Sequence, residues 1–224
     1  MSGGAARTKE RILDAAESLF GERGFAGTSL RALTDAAGVN VASVNYHFGS
    51  KEGLLRAVVQ RAMASVNADR ERMLDQLEAG GDEPTVEELV RAFVTTGASL
   101  VARHGERERQ VARFIGRVMC EPEPEVRRLF AAEVGPVEGR YAQVLAKALP
   151  HLTAEEVAFR YQAMVGLIAL HQSGTLADLH PSFQGGPAAR ASSDATEQLV
   201  VMLTGLFQAP SMTDPAAAGG SAAR

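Results

Sequence analysis

The chain has 224 residues, enough for a small domain joined to a larger companion, and its 46% of hydrophobic residues is typical of a globular protein. No apolar run is long enough to span a bilayer, the first residues lack the apolar core of a secretory signal, and the cytoplasm is therefore the expected compartment. The single Cys120 excludes an internal disulfide, and the net charge of −4 argues weakly against nucleic-acid binding if the chain is treated as one object.

Apolar residues at helical spacing predict the first helix. Thr8 is a suitable N-cap residue, and Gly21 with Gly24 marks the far end, so we expect the helix to lie between them. Its apolar stripe consists of Ile12, Ala15, Ala16, Leu19 and Phe20. This stripe would brace the elements that follow.

A second, short helix is predicted over residues 29–36. Thr28 or Ser29 can cap its start by accepting a bond from an otherwise unpaired backbone N–H. Gly38 stands where the helix must stop and the chain must reverse, a position that often requires positive φ. A tight turn therefore follows this helix.

A third helix is predicted over residues 41–47, with Asn40 as its cap and Gly49 as its interruption. The spacing points one set of side chains inward, namely Leu33, Val39, Val44 and Phe48. The outer set is largely polar and comprises Val41, Ala42, Ser43, Asn45, Tyr46 and His47. Two short helices with such an outer face fit a DNA major groove.

A long linking helix is predicted from the cap at Ser50 to about residue 77. Residues 78–84 are rich in glycine and acid and are typical of a loop. Thr85 and Glu88 then form a capping box, in which each side chain satisfies the other's backbone N–H. The next helix starts there and ends near His104.

Two further helices are predicted over residues 107–120 and 125–149. The prolines of residues 121–124 separate them, because proline cannot continue a helix. The pair Gly135-Pro136 lies inside the second of these helices, where we expect a kink.

The last two helices begin near Thr153 and at about residue 194. Thr153 and Glu156 form a second capping box, and the helix after it is apolar nearly all round, which indicates burial on more than one side. Residues 180–193 are typical of a loop, residues 194–208 form the final helix, and residues 210–224 have little to bury and are expected to be disordered.

Several motifs stand in order over about fifty residues and carry a resemblance to the TetR/AcrR family of bacterial regulators. They are Phe25-Ala-Gly-Thr-Ser, Leu-Arg-Ala-Leu, Ala-Gly-Val and Asn-Tyr-His-Phe-Gly-Ser-Lys-Glu. The resemblance implies an all-α fold of about nine helices. It implies a helix-turn-helix DNA-binding head of three helices at residues 1–50, a larger ligand-binding and dimerisation body at 51–208, and a tail at 209–224.

The same resemblance implies which side chains contact DNA. Asn45 could pair with adenine, and Tyr46, His47 and Lys51 could donate to phosphates, since the Lys51 charge otherwise opposes the local helix dipole. Arg31 could contact the groove or a phosphate, with a solvated surface charge as the alternative. Helix-end packing is the alternative at Tyr46 and His47. The remaining candidates are Thr28, Ser29, Val41, Ala42 and Ser43.

The charge distribution favours a homodimer. Residues 1–60 contain seven Lys or Arg and six Asp or Glu, a net charge of +1, and residues 61–224 contain sixteen and twenty-one, a net charge of −5. One such head would hold DNA weakly because phosphate contacts supply much of the affinity. Helices at 153–178 and 194–208 would form the interface, through Met164, Leu167, His171, Leu199, Leu203 and Phe207.

The resemblance also implies that a small-molecule effector binds the body, and that its binding releases the protein from a palindromic operator. Candidate lining residues are Phe93, Leu100, Phe114, Arg117, Val118, Tyr141, Tyr161 and Ile168. A position in an ordinary apolar core is the default interpretation of each hydrophobic one among them. The run from Phe114 to Phe130, with Ala-Leu-Pro-His-Leu and Tyr-Gln-Ala-Met-Val-Gly, resembles the PsrA-type branch. That branch suggests a fatty acid or acyl-CoA, met by Arg113, Arg117 or Arg140; a multidrug-type compound is the alternative.

Catalytic and metal-binding signatures are not found in the sequence. It contains no Gly-x-Ser-x-Gly elbow, phosphate-binding glycine loop, His-Glu-x-x-His or cysteine cluster, and its histidines are scattered. We therefore expect neither an enzyme nor a cofactor. A helical adaptor that does not bind DNA is the alternative from another functional class.

Overall fold

The computed structural model describes residues 2–103, 106–119, 121–173 and 193–212. Side chains are described there except at 2–3, 98–103, 106–109, 112, 172–173 and 193–194. The loop predicted at 180–193 lies outside the described residues up to 192, and the predicted tail lies outside them beyond 212. The side chain of Leu100, and the residues His104, Cys120 and His180, are outside them as well.

All regular secondary structure in this part of the chain is α-helical, which confirms the all-α prediction. The helices are α1 (Ser2–Arg23), α2 (Leu30–Ala37), α3 (Val41–Phe48), α4 (Lys51–Glu78), α5 (Val86–Arg103), α6 (Glu106–Met119), α7 (Pro124–Ala148), α8 (Ala154–Ser173) and α9 (Ser193–Gln208). None of the described helices combines the length and the apolar content needed to cross a bilayer.

Helix starts follow the predicted capping chemistry. The Thr85 hydroxyl accepts the Glu88 N–H at 3.2 Å, and the Glu88 carboxylate accepts the Thr85 N–H at 2.9 Å. Thr153 and Glu156 repeat this arrangement at 3.2 and 2.9 Å. Both capping boxes are therefore confirmed, because the N-terminal N–H groups of a helix need such partners.

Helices α1 and α7 begin earlier than predicted. The cap predicted at Thr8 is wrong, because α1 begins at Ser2 and the Thr8 hydroxyl donates to the Gly4 carbonyl within the helix, at 3.0 Å. Helix α7 begins at Pro124, in the first turn where proline costs no hydrogen bond, and continues through Pro136 as one helix. The kink at Pro136 stays a prediction.

Two clusters of buried apolar residues form the core. The head cluster joins α1, α2, α3 and the first part of α4 to residues of α6 and α7; its members include Ile12, Phe20, Leu33, Leu54, Leu55, Phe114 and Val134. The body cluster joins the end of α4 to α5, α7, α8 and α9; its members include Leu74, Phe93, Tyr141, Tyr161, Met164, Ile168, Leu203 and Phe207.

The head is held against the body as well as within itself. Helix α1 packs on α6, and Arg61 of α4 reaches back to α1, where it pairs with Glu17 at 2.7 Å and Asp14 at 2.8 Å. Because the head cluster includes α6 and α7, the division at residue 50 does not coincide with a break in the core. That division remains a proposal.

Candidate nucleic-acid interface

The turn between α2 and α3 is fixed by backbone hydrogen bonds and by α1. Gly38 has φ +61°, its N–H donates to the Asp35 carbonyl at 3.2 Å, and the Val39 N–H donates to the Thr34 carbonyl at 3.0 Å. Arg11 of α1 donates to the Gly38 carbonyl at 3.1 Å, and a Cβ on Gly38 would lie 2.5 Å from that guanidinium. This left-handed turn with its paired bonds requires glycine.

Helix α3 is fixed at both ends. The Asn40 carboxamide oxygen accepts the Ser43 N–H at 2.9 Å and the Ser43 hydroxyl at 3.0 Å. Gly49, with φ +76°, closes the helix. A Cβ on Gly53 would lie 2.0 Å from the Phe48 carbonyl oxygen, so the last turn of α3 lies directly on the first turn of α4. The orientation of α3 is therefore coupled to that of α4.

The predicted inner and outer faces are found. Leu33 and Val44 are fully buried, and Val39 and Phe48 pack half-buried against the head cluster. Tyr46 is 82% exposed, with the His47 ring at its edge at 5.0 Å between ring centroids. The other outer residues divide into exposed Val41, Ala42 and Asn45 and half-buried Ser43 and His47.

The structure resolves the choice between Thr28 and Ser29 as the cap of α2. The Ser29 hydroxyl accepts the Ala32 N–H at 3.1 Å and lies at the surface, so Ser29 is the cap. Thr28 is fully buried, and its hydroxyl donates to the carbonyls of Gly24 at 2.8 Å and Leu19 at 3.1 Å. The Thr28 side chain was predicted to contact DNA; that prediction is wrong because its hydroxyl is turned into the head.

Lys51 already has a partner in the unbound chain. Its ammonium donates to the Phe25 carbonyl at 2.6 Å and lies 4.1 Å from the centroid of the Phe25 ring. Burial lowers the pKa of Lys51. These contacts explain a cation at the start of α4 without a phosphate, so the dipole argument used for Lys51 no longer supports a DNA contact.

Arg31 lies on the exposed face of α2. Its side chain is 91% exposed, and its Nε is 4.0 Å from the Asp35 carboxylate one turn later. Such a surface pair is weak in water, so the guanidinium is free to exchange Asp35 for another anion.

The predicted ligand-lining residues fall into two separate places. Phe114 and Val118 belong to the head cluster, and Arg117 is exposed beside Gly24, where a Cβ would lie 3.1 Å from its Nε. Phe93, Tyr141, Tyr161 and Ile168 belong to the body cluster. One cavity lined by the whole set is therefore not supported.

The body cluster contains a charged group that the sequence prediction missed. Arg70 of α4 has an 8% exposed side chain, and its guanidinium lies 3.7 Å from the centroid of the Phe93 ring. A carboxylate oxygen of Glu138, on α7, lies 3.9 Å from a terminal nitrogen of the Arg70 guanidinium. Burial raises the pKa of Glu138. Arg113 and Arg140, the arginines considered from sequence, are at the surface, where Arg140 pairs with Asp75 at 2.6 Å and with Glu78.

Four of the six predicted dimer residues are buried within the chain itself. Met164, Leu199, Leu203 and Phe207 are buried by the chain's own body cluster, so they cannot also cover a partner, whereas Leu167 and His171 are half-buried. The large exposed apolar residues among the described side chains of α8 and α9 are Phe159, Leu170, Val201 and Met202. On α8 they continue through exposed Ala163 and half-buried Gly166 as a stripe at helical spacing.

Arg160 fixes α8, the helix that carries this stripe, to the end of α9. Its guanidinium is buried and donates to the carbonyls of Phe207 at 2.8 Å, Ala209 at 2.7 Å and Pro210 at 2.8 Å. A cation at the carbonyl end of α9 satisfies groups that the helix itself leaves unpaired. Helices α8 and α9 therefore form a fixed pair.

Known proteins match both parts of the chain. The family model described as bacterial regulatory proteins of the tetR family matches residues 12–58, and the model described as the tetracyclin repressor-like C-terminal domain matches residues 91–205. The probable HTH-type transcriptional regulator YttP of Bacillus subtilis (strain 168) is 29% identical over 110 residues, 49% of each chain. The chain thus spans about half the length of this curated relative.

Solved structures show the same fold. A putative tetR family transcription regulator from Shewanella sp. PV-4 has a TM-score of 0.62 at 16% identity, covering 88% of this chain and 95% of its own. HlyIIR, a hemolysin II transcriptional regulator, has a TM-score of 0.60 at 18% identity, covering 89% and 98%. With the helix-turn-helix geometry and the match of the C-terminal model to half of the chain, these findings identify the protein as a member of the TetR family of bacterial transcriptional regulators.

Proposed function

We propose that the protein is a repressor that binds a palindromic operator as a homodimer and is released by a small apolar or amphiphilic effector. The outer face of α3 carries this proposal. It presents an exposed amide, an exposed phenol and a half-buried imidazole in a row on a helix whose two ends are fixed. A helix so presented can enter a major groove.

The side chains have distinct roles in the proposed complex. Asn45 reads a base edge, and Val41 and Ala42 contact thymine methyl groups. Tyr46, His47 and Arg31 donate to phosphates, with Ser29 and Ser43 at the edge of the same surface.

A second copy of the chain covers the α8 stripe in this proposal. The stripe consists of Phe159, Ala163, Gly166 and Leu170, and a Cβ on Gly166 would meet no atom of the described residues within 4 Å. Small residues between large apolar ones allow a partner helix to approach closely, and Val201 and Met202 extend the surface onto α9. Two such chains related by a two-fold axis would present their heads to the two halves of a palindrome.

The effector would bind the body at residues 51–208 and shift the population of the dimer away from the form that fits DNA. The resemblance of the run from Phe114 to the PsrA-type branch favours a fatty acid or acyl-CoA. A multidrug-type hydrophobic compound is the alternative class.

A gel-shift titration with the DNA upstream of the protein's own reading frame tests the proposal. Wild-type protein should retard this fragment, and Asn45→Ala should relax preference at one operator position by about 1–3 kcal/mol of lost discrimination. Gln76→Ala, which removes an exposed amide from the far end of α4, is the matched control and should bind normally. No retardation of any part of that region at low salt would instead support the helical adaptor.

A further inference from the structure

We propose that Arg70, Tyr141 and Tyr161 form an anion site inside the body that takes the carboxylate of a small apolar molecule. The inference rests on the proposed function, since it names the chemical class of the effector. The sequence alone suggested Arg113, Arg117 or Arg140 as the residue that meets the anion. The residue proposed instead is Arg70, which is buried on the linking helix α4.

The guanidinium of Arg70 contains a buried donor that has no partner among the described residues. Its only carboxylate neighbour in the described part of the chain is Glu138, at 3.9 Å, which is too long for a direct hydrogen bond. The Nε atom is buried, and no described group accepts a hydrogen bond from it. Phe93 covers one face of the guanidinium and supplies no acceptor. A buried donor in this state needs an explanation, and a bound acceptor supplies one.

Two tyrosine hydroxyls in the same cluster share this condition. The hydroxyls of Tyr141 and Tyr161 are buried and have no hydrogen-bond partner among the described residues. Both rings pack edge-on against the Phe93 ring, at 5.2 and 5.7 Å between centroids. The guanidinium and both tyrosine rings therefore contact one aromatic ring, and both phenols interact electrostatically with Arg70. These three groups are the donors available to one ligand in this cluster.

The charge balance selects an anion with a single charge. Burial raises the pKa of Glu138, which weakens that carboxyl as a counterion for Arg70. A ligand carboxylate would restore neutrality, and its two oxygens match the fork of a guanidinium. A dianion would leave one charge uncompensated in an apolar interior, and a neutral alcohol would leave the guanidinium unpaired. The apolar surroundings of the cluster suit the rest of such a molecule.

Calorimetric titration without DNA tests the site. The probes are hexanoate, octanoate and decanoate, each compared with the alcohol of the same chain length. Wild-type protein should bind at least one carboxylate at least tenfold more tightly than its alcohol. Arg70→Met should lose this preference, and Arg140→Met, which removes a surface arginine already paired with Asp75 and Glu78, should keep it.

Two conservative variants keep the test decisive if Arg70→Met fails to fold. Glu138→Gln removes the competing carboxyl and should strengthen carboxylate binding several-fold, a direction that a purely structural ion pair does not predict. Tyr161→Phe should weaken it several-fold. Equal binding of acid and alcohol by wild-type protein, or no binding of any probe, would overturn the site. Gel shifts on the same preparations separate the two proposals, because loss of DNA retardation with carboxylate preference intact would count only against the regulator.

Discussion

Replacing Phe159 with serine should dissociate the proposed dimer while leaving the fold intact. The residue is 71% exposed in the single chain, so most of its surface makes no contact within the described part of the chain. A phenylalanine buries about 200 Å², so about 140 Å² of Phe159 awaits a partner, and covering it is worth about 3.5 kcal/mol at about 25 cal/mol per Å². A two-fold interface contains the residue twice, which sets an upper limit of about 7 kcal/mol.

Part of that limit is offset by ordering and imperfect packing, so we expect a loss of about 3–4 kcal/mol, or two to three orders of magnitude in the dimer dissociation constant. Sedimentation equilibrium measures it directly. Met212→Ser is the control, since Met212 is 89% exposed and lies off the α8 stripe. If Phe159→Ser dissociates no more than this control, the stripe is not the interface. Operator affinity should fall with dimer population, because one head binds DNA weakly.

Three further outcomes are expected. Asp35→Asn removes the anion beside Arg31, so binding to all DNA should tighten a few-fold with a steeper salt dependence in gel shifts. Thr28→Val should lower the free energy of unfolding by about 1–3 kcal/mol, measured by chemical denaturation, because the buried carbonyls of Gly24 and Leu19 lose the hydroxyl they share as a donor. The operator affinity of the folded variant should be unchanged, and Thr28→Ser should be close to wild type in stability. Hydrogen bonds from the Thr153 backbone N–H, and in second place from the Ser211 hydroxyl, hold the pKa of Glu156 at about 2. The stabilisation from the Glu156 carboxylate is therefore present above its unfolded pKa and is lost as pH falls towards about 2. Glu156→Gln should flatten this acid dependence of the melting temperature.

Local capping chemistry was predictable because it acts over three or four residues. Asn40, Ser50 and the two Thr–Glu boxes needed only their own turns to be identified. Thr28 and Ser29 are both good caps, and the choice depends on the Leu19 carbonyl of α1, which lies nine residues away. The error at Thr28 therefore arose where a tertiary contact decided between two equivalent local patterns.

The faces of α8 could not be assigned from sequence. The helix is apolar nearly all round, so periodicity gives no single buried side. Packing within the chain places Met164 and Ile168 in the body cluster and leaves Phe159 and Leu170 outside it. Residues on one face serve the monomer and those on the other are available to a partner, a division that requires knowledge of the surrounding helices.

Arg70 was missed for the same reason. It follows Asp69 in a polar run of the linking helix, which is typical of a solvated surface. Its burial depends on Phe93, Glu138 and Tyr161, which come from three later helices. A buried charge of this kind has no local sequence signal, because local composition there is that of an exposed helix.

Helix α4 connects the proposed anion site to the proposed DNA-binding helix. Gly53 in its first turn lies against the Phe48 carbonyl of α3, and Arg70 follows 17 residues later, about 25 Å along the helix axis. A hydrogen-bonded helix does not change length, so a ligand that draws Arg70 towards α7 and α8 must tilt or shift the other end of α4. The close contact at Gly53 passes that displacement to α3. In the proposed dimer, helix α4 would thereby link effector binding in the body to the separation of the two heads through one rigid element.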